Sequence, residues 1–239
     1  MSFETKKNII TDKIVSLDSK LKFDEDKPFP LNGHIIAIFS GRRGSGKSTL
    51  ILNVLKHVYK KHYDLIILFS PTATRDPKFS KLIKELEHDN QYFTSVDEES
   101  IHAVMDLIRD NNDKILEEKK REPYNLILFD DCIHDLKKNN PAFNELITTN
   151  RHLKTDIWIA TQKYNTYLST LVRSNADIIC TFRSDVKSEI DTLKHDLNIN
   201  EKLFDDLYNF ATKEPNSFFM INFLTGKPVF YKRFDKIIL

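Results

Sequence analysis

Eight consecutive residues beginning at Gly41 have the types and spacing that bind a polyphosphate. They read Gly-Arg-Arg-Gly-Ser-Gly-Lys-Ser and fit the pattern G-x-x-x-x-G-K-[ST] in full. Glycine lets the backbone curl, so that successive N–H groups can point at phosphate oxygens. In this pattern Lys47 would reach the β- and γ-phosphates, and Ser48 would place its hydroxyl on Mg²⁺. We therefore predict a site for ATP and Mg²⁺ formed by Gly41, Arg42, Arg43, Gly44, Ser45, Gly46, Lys47, Ser48 and Thr49.

The segments on either side of this loop support the same interpretation. Residues 34–40 are apolar and rich in β-branched side chains, which predicts a buried strand. Residues 49–57 carry apolar side chains at positions typical of a helix, whose positive end would point at the phosphates. A chance match to the loop pattern would not require a strand before it and a helix after it.

Two carboxylates close a second apolar strand, predicted over residues 124–131. Asp130 stands where P-loop NTPases carry the aspartate associated with Mg²⁺, so we predict it as a metal ligand together with Ser48. Asp131 stands where ATPases with an additional strand usually carry a glutamate that polarises the attacking water. The shorter aspartate leaves its role as a catalytic base open.

Three further side chains could complete a catalytic site. Gln162 ends the predicted strand 155–162, at the sheet edge where α/β folds hold ligands, and could sense the γ-phosphate or orient water. Arg151 and Arg173 precede two predicted strands. Either arginine could reach a nucleotide held by a neighbouring subunit and stabilise charge in the transition state.

The remaining pattern alternates strands and helices, which predicts an α/β fold with a mostly parallel sheet. Besides those named, strands are predicted over residues 65–70, 92–96, 178–182, 217–224 and 227–234. Helices are predicted over residues 78–88, 98–121 and 185–210. Because Thr225 and Gly226 separate the last two strands, we expect a C-terminal β-hairpin over residues 217–234.

We divide the chain into a polar N-terminal arm, residues 1–33, and a P-loop ATPase domain, residues 34–239, that includes the hairpin. The arm could pack on the core, pack on a neighbouring subunit, or be a partly ordered leader. A chain of 239 residues suits one large domain.

Composition limits the class of protein. The formal net charge is +1, so contact with nucleic acid must be local or must come from a ring of subunits. The two cysteines, Cys132 and Cys180, lie in or beside apolar runs and are expected to be reduced core residues. Histidines and cysteines show no zinc spacing, and no apolar run approaches the length of a membrane span. The N-terminal residues do not have the pattern of a signal peptide.

The chain resembles the poxvirus-type genome-packaging ATPases of large DNA viruses and virophages, within the FtsK–HerA superfamily. The residues that carry the resemblance are 41–49, 68–72 (Leu-Phe-Ser-Pro-Thr), 128–131 (Leu-Phe-Asp-Asp), 150–152 (Asn-Arg-His), 159–162 (Ile-Ala-Thr-Gln) and 172–177 (Val-Arg-Ser-Asn-Ala-Asp). Relatives often have glycine at the position of Asn150, so the sequence leaves the geometry of that turn open.

The resemblance implies a RecA-like core with an additional strand between the P-loop strand and the Asp-Asp strand. In chain order residues 65–70 lie between those two, and strand 157–161 follows. The resemblance also implies a ring of five or six subunits with ATP hydrolysed at their interfaces. Such a ring would pull double-stranded DNA into a preformed capsid, would dock on capsid vertex proteins, and would reside in the host cytoplasm and the virion.

Other functions remain open at this point. A cellular HerA-like translocase would usually carry an extra N-terminal barrel, for which the chain has no room. A P-loop small-molecule kinase would need an arginine-rich lid, and none is evident between residues 98 and 185. A GTPase-like switch would need an Asn-Lys-x-Asp motif, which is absent, and a viral terminase would carry a nuclease domain after the motor.

Overall fold

The computed structural model describes residues 4–6, 28–31, 34–86, 91–132 and 140–239. Their strands are β1 (Glu4–Lys6), β2 (Ile36–Ser40), β3 (Leu65–Phe69), β4 (Tyr92–Phe93), β5 (Asn125–Asp130), β6 (Thr155–Thr161), β7 (Ile178–Phe182), β8 (Phe218–Asn222), β9 (Val229–Lys232) and β10 (Asp235–Ile238). Their α-helices are α1 (Lys47–His57), α2 (Ser80–Glu85), α3 (Glu98–Lys119), α4 (Pro141–Thr149), α5 (Tyr164–Tyr167), α6 (Thr170–Ser174), α7 (Lys187–Leu197) and α8 (Glu201–Ala211).

The strands form a single sheet in the order β1-β10-β9-β8-β7-β2-β6-β5-β3-β4. The six strands from β7 to β4 in that order are parallel, whereas β8, β9, β10 and β1 add antiparallel strands. This confirms the predicted α/β class with a mostly parallel sheet. All six parallel strands end at the same edge, which we call the carboxyl edge, and they begin at the opposite amino edge.

Alternating side chains bury both faces of the parallel strands. In β2, Ile36 and Ile38 pack into a core that also receives α3, α4 and α8, whereas Ala37 and Phe39 pack against α1 on the other face. All five residues of β2 are buried. Two-sided burial explains why these strands read as continuous apolar runs rather than as alternating ones.

The additional strand is not the one that chain order suggested. β6 lies between the P-loop strand β2 and the Asp-Asp strand β5, whereas β3 (residues 65–69) lies on the far side of β5. The expectation that residues 65–70 separate the two strands is therefore wrong in space. The architecture with one additional strand is present, but β6 supplies it.

The predicted helix over residues 185–210 is two helices, α7 and α8. Asn198 ends α7 with a φ of 48°, a left-handed conformation that asparagine tolerates better than most residues. The side chain of Asn200 then accepts a hydrogen bond from the backbone N–H of Leu203 and begins α8. Both helices are amphipathic, so apolar periodicity alone did not show the break between them.

The C-terminal hairpin is present but is part of a larger antiparallel unit. β8 pairs with β9 as predicted, and β9 pairs in turn with β10, which the sequence analysis did not identify. β10 also pairs with β1, so the described piece of the N-terminal arm extends the sheet. A second described piece of the arm, residues 28–31, places Phe29 in the core beside Phe39, Trp158 and Phe234.

Helix α4 was also missed, although a capping signal marks its start. The side chain of Asn140 accepts a hydrogen bond from the N–H of Phe143, and Pro141 occupies the first helical turn.

Cys132 and Cys180 are buried free thiols. Of the helices that the structure describes, none combines the length and the apolar character that crossing a bilayer requires.

Candidate nucleotide site

The loop between β2 and α1 has backbone angles that only glycine adopts readily. Gly44 and Gly46 have φ values of 81° and 109°. At Gly41 the constraint is space, because a Cβ atom there would lie 2.7 Å from Ser45 Oγ and 2.9 Å from Phe182 Cβ. The three glycines of the motif are therefore required by the loop itself, before any ligand is considered.

Lys47 folds back over the loop. Its Nζ donates to the carbonyl oxygens of Gly41 at 2.6 Å and Arg42 at 3.3 Å, and the residue is 6% exposed. Burial lowers the pKa of Lys47, while the nearby Asp131 and Asp130 oppose that shift. A cation that is held by two carbonyl groups can exchange them for phosphate oxygens with little rearrangement.

Ser45 adds an unsatisfied donor inside the same loop. Its Oγ is buried and has no hydrogen-bond partner among the residues that the structure describes. Buried hydroxyl groups without partners are uncommon and need an explanation. A phosphate oxygen seated in the loop would accept this hydrogen bond, so the loop fits a polyphosphate by its chemistry as well as by its pattern.

Asp130 ends β5 at the carboxyl edge and is only 5% exposed. Ser70, at the end of the neighbouring strand β3, donates from Oγ to Asp130 Oδ2 at 3.5 Å. Burial, and then the adjacent Asp131, raise the pKa of Asp130 to about 7, and Lys47 opposes the shift. A buried carboxylate of this kind is stabilised in its ionised form when a cation binds next to it.

The oxygen ligands at this edge suit Mg²⁺. Among the described residues no group of three or more histidine, cysteine, aspartate or glutamate side chains could hold a metal ion. Mg²⁺ is usually bound by one or two carboxylates together with substrate phosphates and water. Ser48, in the first turn of α1, and Asp130 supply such a partial set, and the ion would neutralise phosphate charge there.

Gln162 and Asp131 lie in contact at the carboxyl edge, directly after the strands β6 and β5. Gln162 Nε2 donates to Asp131 Oδ1 at 3.2 Å. Asp131 has a φ of 51°, so the chain turns sharply directly after β5 and presents this carboxylate beside the end of β6. The two residues that could orient an attacking water molecule are therefore already in contact.

Glu189 supports the loop after Gln162, and nothing in the motifs identified it. The carboxylate lies on α7, is 7% exposed, and accepts from the backbone N–H of Asn165 at 2.6 Å and from Thr166 Oγ1 at 3.1 Å. Thr161 Oγ1 closes the same loop from the other side, accepting from the N–H of Lys163 at 3.1 Å. Gln162 is thus carried by a loop that is fixed at both ends.

A cleft of about 610 Å³ opens beside the P-loop. It lies between Arg42, Arg43 and residues 212–217, on the side of the loop away from β5. Arg42 is largely exposed and its Nη1 lies 3.4 Å from Asp185 Oδ2. The part of a nucleotide beyond its phosphates has room there.

A larger groove of about 900 Å³ lies at the amino edge and contains none of the predicted nucleotide residues.

Arg151 lies at the amino edge, away from its own P-loop. It stands just before β6, whereas Gln162 stands just after it, so the seven residues of β6 separate the two ends by roughly 20 Å. Its side chain is 68% exposed, and Nη2 contacts Asp177 Oδ1 at 3.1 Å. If Arg151 stabilises a nucleotide, that nucleotide must belong to another subunit.

Arg173 is already bound within its own chain. Nε donates to Asp196 Oδ2 at 2.8 Å, Nη1 donates to the carbonyl oxygen of Leu168 at 2.6 Å, and the side chain is 12% exposed. Acting on a neighbouring nucleotide would require breaking these contacts. Of the two arginines, Arg151 is therefore the more accessible to another subunit.

The backbone at position 150, where relatives often carry glycine, has a conformation that asparagine adopts readily. It has a right-handed helical conformation with φ of −52°. Its buried Nδ2 donates to the carbonyl oxygens of His34 at 2.7 Å and Thr155 at 3.2 Å. The asparagine therefore ties the turn that carries Arg151 to the starts of β2 and β6.

The sequence matches the family model described as poxvirus A32 protein over residues 22–217. Comparison with curated protein sequences found no significant match. Among solved structures, the genome packaging NTPase B204 from Sulfolobus turreted icosahedral virus 2, in complex with ATP-γS, is similar with a TM-score of 0.58 and 20% identity. The match covers 85% of this chain and 99% of that one.

Two further structures show the same fold. B204, the DNA-packaging ATPase from Sulfolobus turreted icosahedral virus, matches with a TM-score of 0.59 and 20% identity over 84% of this chain and 98% of that one. The pCW3 conjugation coupling protein TcpA, with ATP-γS, matches with a TM-score of 0.59 and 16% identity. That match covers 86% of this chain and 62% of TcpA. These likenesses confirm the P-loop ATPase fold, and the family model covers most of the sequence. The chain is therefore an ATPase of the P-loop class and belongs to the poxvirus A32 protein family.

Proposed function

We propose that this protein is an ATP-driven motor that moves double-stranded DNA into a viral capsid. The observation that carries the proposal is the carboxyl edge, where Lys47, Asp130, Asp131 and Gln162 are assembled around the P-loop of an A32-family chain. The similarity to B204, whose structures are described as those of a genome packaging NTPase, supports the same function.

Different residues of this chain have different roles in ATP hydrolysis. The P-loop N–H groups, the Ser45 hydroxyl and Lys47 bind the phosphates, and Ser48 and Asp130 hold Mg²⁺, which neutralises phosphate charge when bound. Asp131 and Gln162 orient the attacking water, with Asp131 accepting its proton.

The active unit that we propose is a ring of five or six copies. Arg151 supports this proposal because it is exposed at the amino edge and cannot reach the P-loop of its own chain. In a ring its guanidinium would complete the site of the next subunit and stabilise transition-state charge. A ring also sums the few phosphate contacts that a chain of charge +1 offers to DNA. We place this ring in the host cytoplasm and the virion, docked on capsid vertex proteins.

A translocation assay tests the proposal. A short third strand that is paired to a DNA duplex should be displaced when the protein, ATP and Mg²⁺ are added, and the Lys47→Ala protein should leave it in place. ATP hydrolysis should rise with duplex DNA and with protein concentration, and the stimulation should weaken as salt rises.

Two outcomes would contradict the motor. One is a strict monomer in the presence of ATP and DNA, measured by sedimentation. The other is hydrolysis that is indifferent to DNA but strongly raised by a nucleoside or another small phosphate acceptor, which would favour a kinase.

A further inference from the structure

A short segment that follows β3 carries exposed cations. It comprises the 3₁₀-helix Ala73–Arg75 and helix α2, and β3 lies next to β5. Arg75, Lys81 and Lys84 are exposed on it, and we call these three side chains the cationic surface. The segment borders the nucleotide site, because Lys78, between its two helices, adds to the lowering of the Lys47 pKa by burial, and Asp76 adds to the raising of the Asp130 pKa by burial and Asp131.

The segment that carries these cations is anchored firmly. Ala73 and Phe79 are fully buried, and Leu82 is 8% exposed, all in the core beneath the sheet face that packs on α1. Asp76 fixes the turn between the two helices, because its Oδ1 accepts from the N–H of Lys78 at 2.9 Å. The apolar residues thus hold one face of the segment on the protein, and the cations project from the other.

One buried hydroxyl group connects the segment to the predicted metal ligand. Ser70 is fully buried, and its Oγ accepts from the backbone N–H of Ala73 at 3.1 Å and of Thr72 at 3.4 Å. The same Oγ lies 3.5 Å from Asp130 Oδ2, to which it donates. A displacement of the segment would therefore move Ser70 Oγ, the group that is hydrogen-bonded to Asp130.

We propose that Arg75, Lys81 and Lys84 bind the phosphate backbone of double-stranded DNA and connect that contact to the ATP site. This inference rests on the proposed function, and names the DNA-contacting surface of that motor. Lys81 and Lys84 lie three residues apart on one helix face, so they can contact phosphates of the same strand. The contact carries no sequence preference, which suits a protein that must move along any sequence.

The test compares three variants of the full-length protein by DNA binding over a range of salt concentrations. The triple variant Arg75→Gln, Lys81→Gln, Lys84→Gln removes three exposed charges. A matched control, Lys60→Gln, Lys61→Gln, Lys114→Gln, removes three exposed charges beyond α1 and near the end of α3. The conservative variant Lys81→Arg, Lys84→Arg keeps the charge of the surface.

We expect the triple variant to lose about tenfold or more in DNA affinity at 0.1 M salt, with the slope of log K against log salt lowered by about two to three. Its ATP hydrolysis without DNA and its melting temperature should stay those of the wild type, while stimulation by DNA is lost. The control and the Lys-to-Arg variant should bind and respond like the wild type.

Three results would overturn the proposal, and they are distinguishable. If the triple variant binds DNA with the affinity and slope of the control, the surface is wrong and the motor function stands. If the wild-type protein itself neither binds duplex DNA nor responds to it, the proposed function fails and the surface fails with it. Loss of basal hydrolysis in the triple variant, with ATP binding also lost, would assign these cations to the nucleotide instead.

Discussion

The two edges of the parallel sheet use their buried polar groups differently. At the carboxyl edge, Ser45 Oγ has no partner among the described residues, and Asp130 receives a long hydrogen bond of 3.5 Å from Ser70. At the amino edge, Asp156 accepts from Tyr63 OH at 2.6 Å and from the N–H of Ile35 at 2.8 Å. The buried carboxylate of Asp156 at the amino edge is thus committed within the chain, although Nδ1 of His34 at that edge has no hydrogen-bond partner among the described residues.

This difference suggests that buried polar groups at the carboxyl edge bind a ligand, whereas those at the amino edge stabilise the fold. Unsatisfied buried groups cost free energy, and a phosphate bound in the P-loop would remove that cost for the Ser45 hydroxyl group. Satisfied groups at the amino edge hold the strand starts together, as Asp177 does by accepting from the N–H of Ile36 at 2.9 Å. Changes at the carboxyl edge should therefore affect turnover, and changes at the amino edge should affect stability. Arg151 is the exception that we expect, because it is exposed and we propose that it acts on the nucleotide of a neighbouring subunit.

The largest expected effect is that of Lys47→Ala, which should abolish ATP hydrolysis. Lys47 is the side-chain cation that the motif directs at the β- and γ-phosphates, and its two present partners are carbonyl groups of the loop itself. Steady-state hydrolysis measures the loss, and circular dichroism should show an intact fold. Lys56→Ala, an exposed lysine of the same helix, is the control and should turn over normally. Near-normal turnover in Lys47→Ala would refute the site.

Arg151→Ala should lower hydrolysis by about 10³-fold or more while ATP binding is kept, as for arginine fingers in other phosphoryl-transfer systems. Its ion pair with Asp177 is solvent-exposed on the arginine side, so losing it should cost at most about 1 kcal/mol of stability. Lys154→Ala, in the same turn, serves as the control.

Mixing two inactive proteins tests whether Arg151 acts between subunits. Rings that contain both Arg151→Ala and Asp131→Asn chains have some interfaces with an intact Asp131 and an intact Arg151. Activity should partly return in the mixture. Mixed rings without any activity would show that Arg151 acts structurally, and Arg173→Ala would then be tested in the same mixture.

The carboxyl edge was predictable from sequence because its signals are local. Residues 41–48 and the pair Asp130-Asp131 are contiguous in the chain, so pattern and chemistry identify them together. The amino edge depends on distant contacts, such as that of Asn150 with the carbonyl group of His34, 116 residues away. The order of strands in space was likewise not encoded locally, which is why β3 was expected where β6 lies.

Glu189→Ala should lower kcat about tenfold and change KM less, because the loop that presents Gln162 loses the carboxylate that fixes Asn165 and Thr166. Glu189→Gln should restore most of the rate, since its amide oxygen can accept the same backbone N–H. A role limited to stability would lower the melting temperature of the alanine variant without changing kcat at a temperature where the protein stays folded.

The smallest effect on turnover is expected for Asp156→Asn, which should leave hydrolysis unchanged and alter how stability depends on pH. Burial raises the pKa of Asp156 to about 7, far above its value of about 3.9 in an unfolded chain. Between these values the folded protein binds more protons than the unfolded one. The contribution of Asp156 to the free energy of unfolding therefore falls as pH rises from about 4 to 7, by roughly 2–4 kcal/mol.

Other groups titrate in the same range, so the difference between the two proteins is the quantity to measure. Burial lowers the pKa values of His34 and His62, which makes them destabilising as pH falls below about 6.5 and opposes Asp156. Both histidines are present in wild type and variant, and their effect cancels. Denaturant unfolding at pH 5, 6, 7 and 8 should show wild-type stability falling relative to Asp156→Asn as pH rises. A difference that is constant with pH would mean that Asp156 keeps an ordinary pKa, and that the amino edge tolerates a buried charge through its two hydrogen bonds.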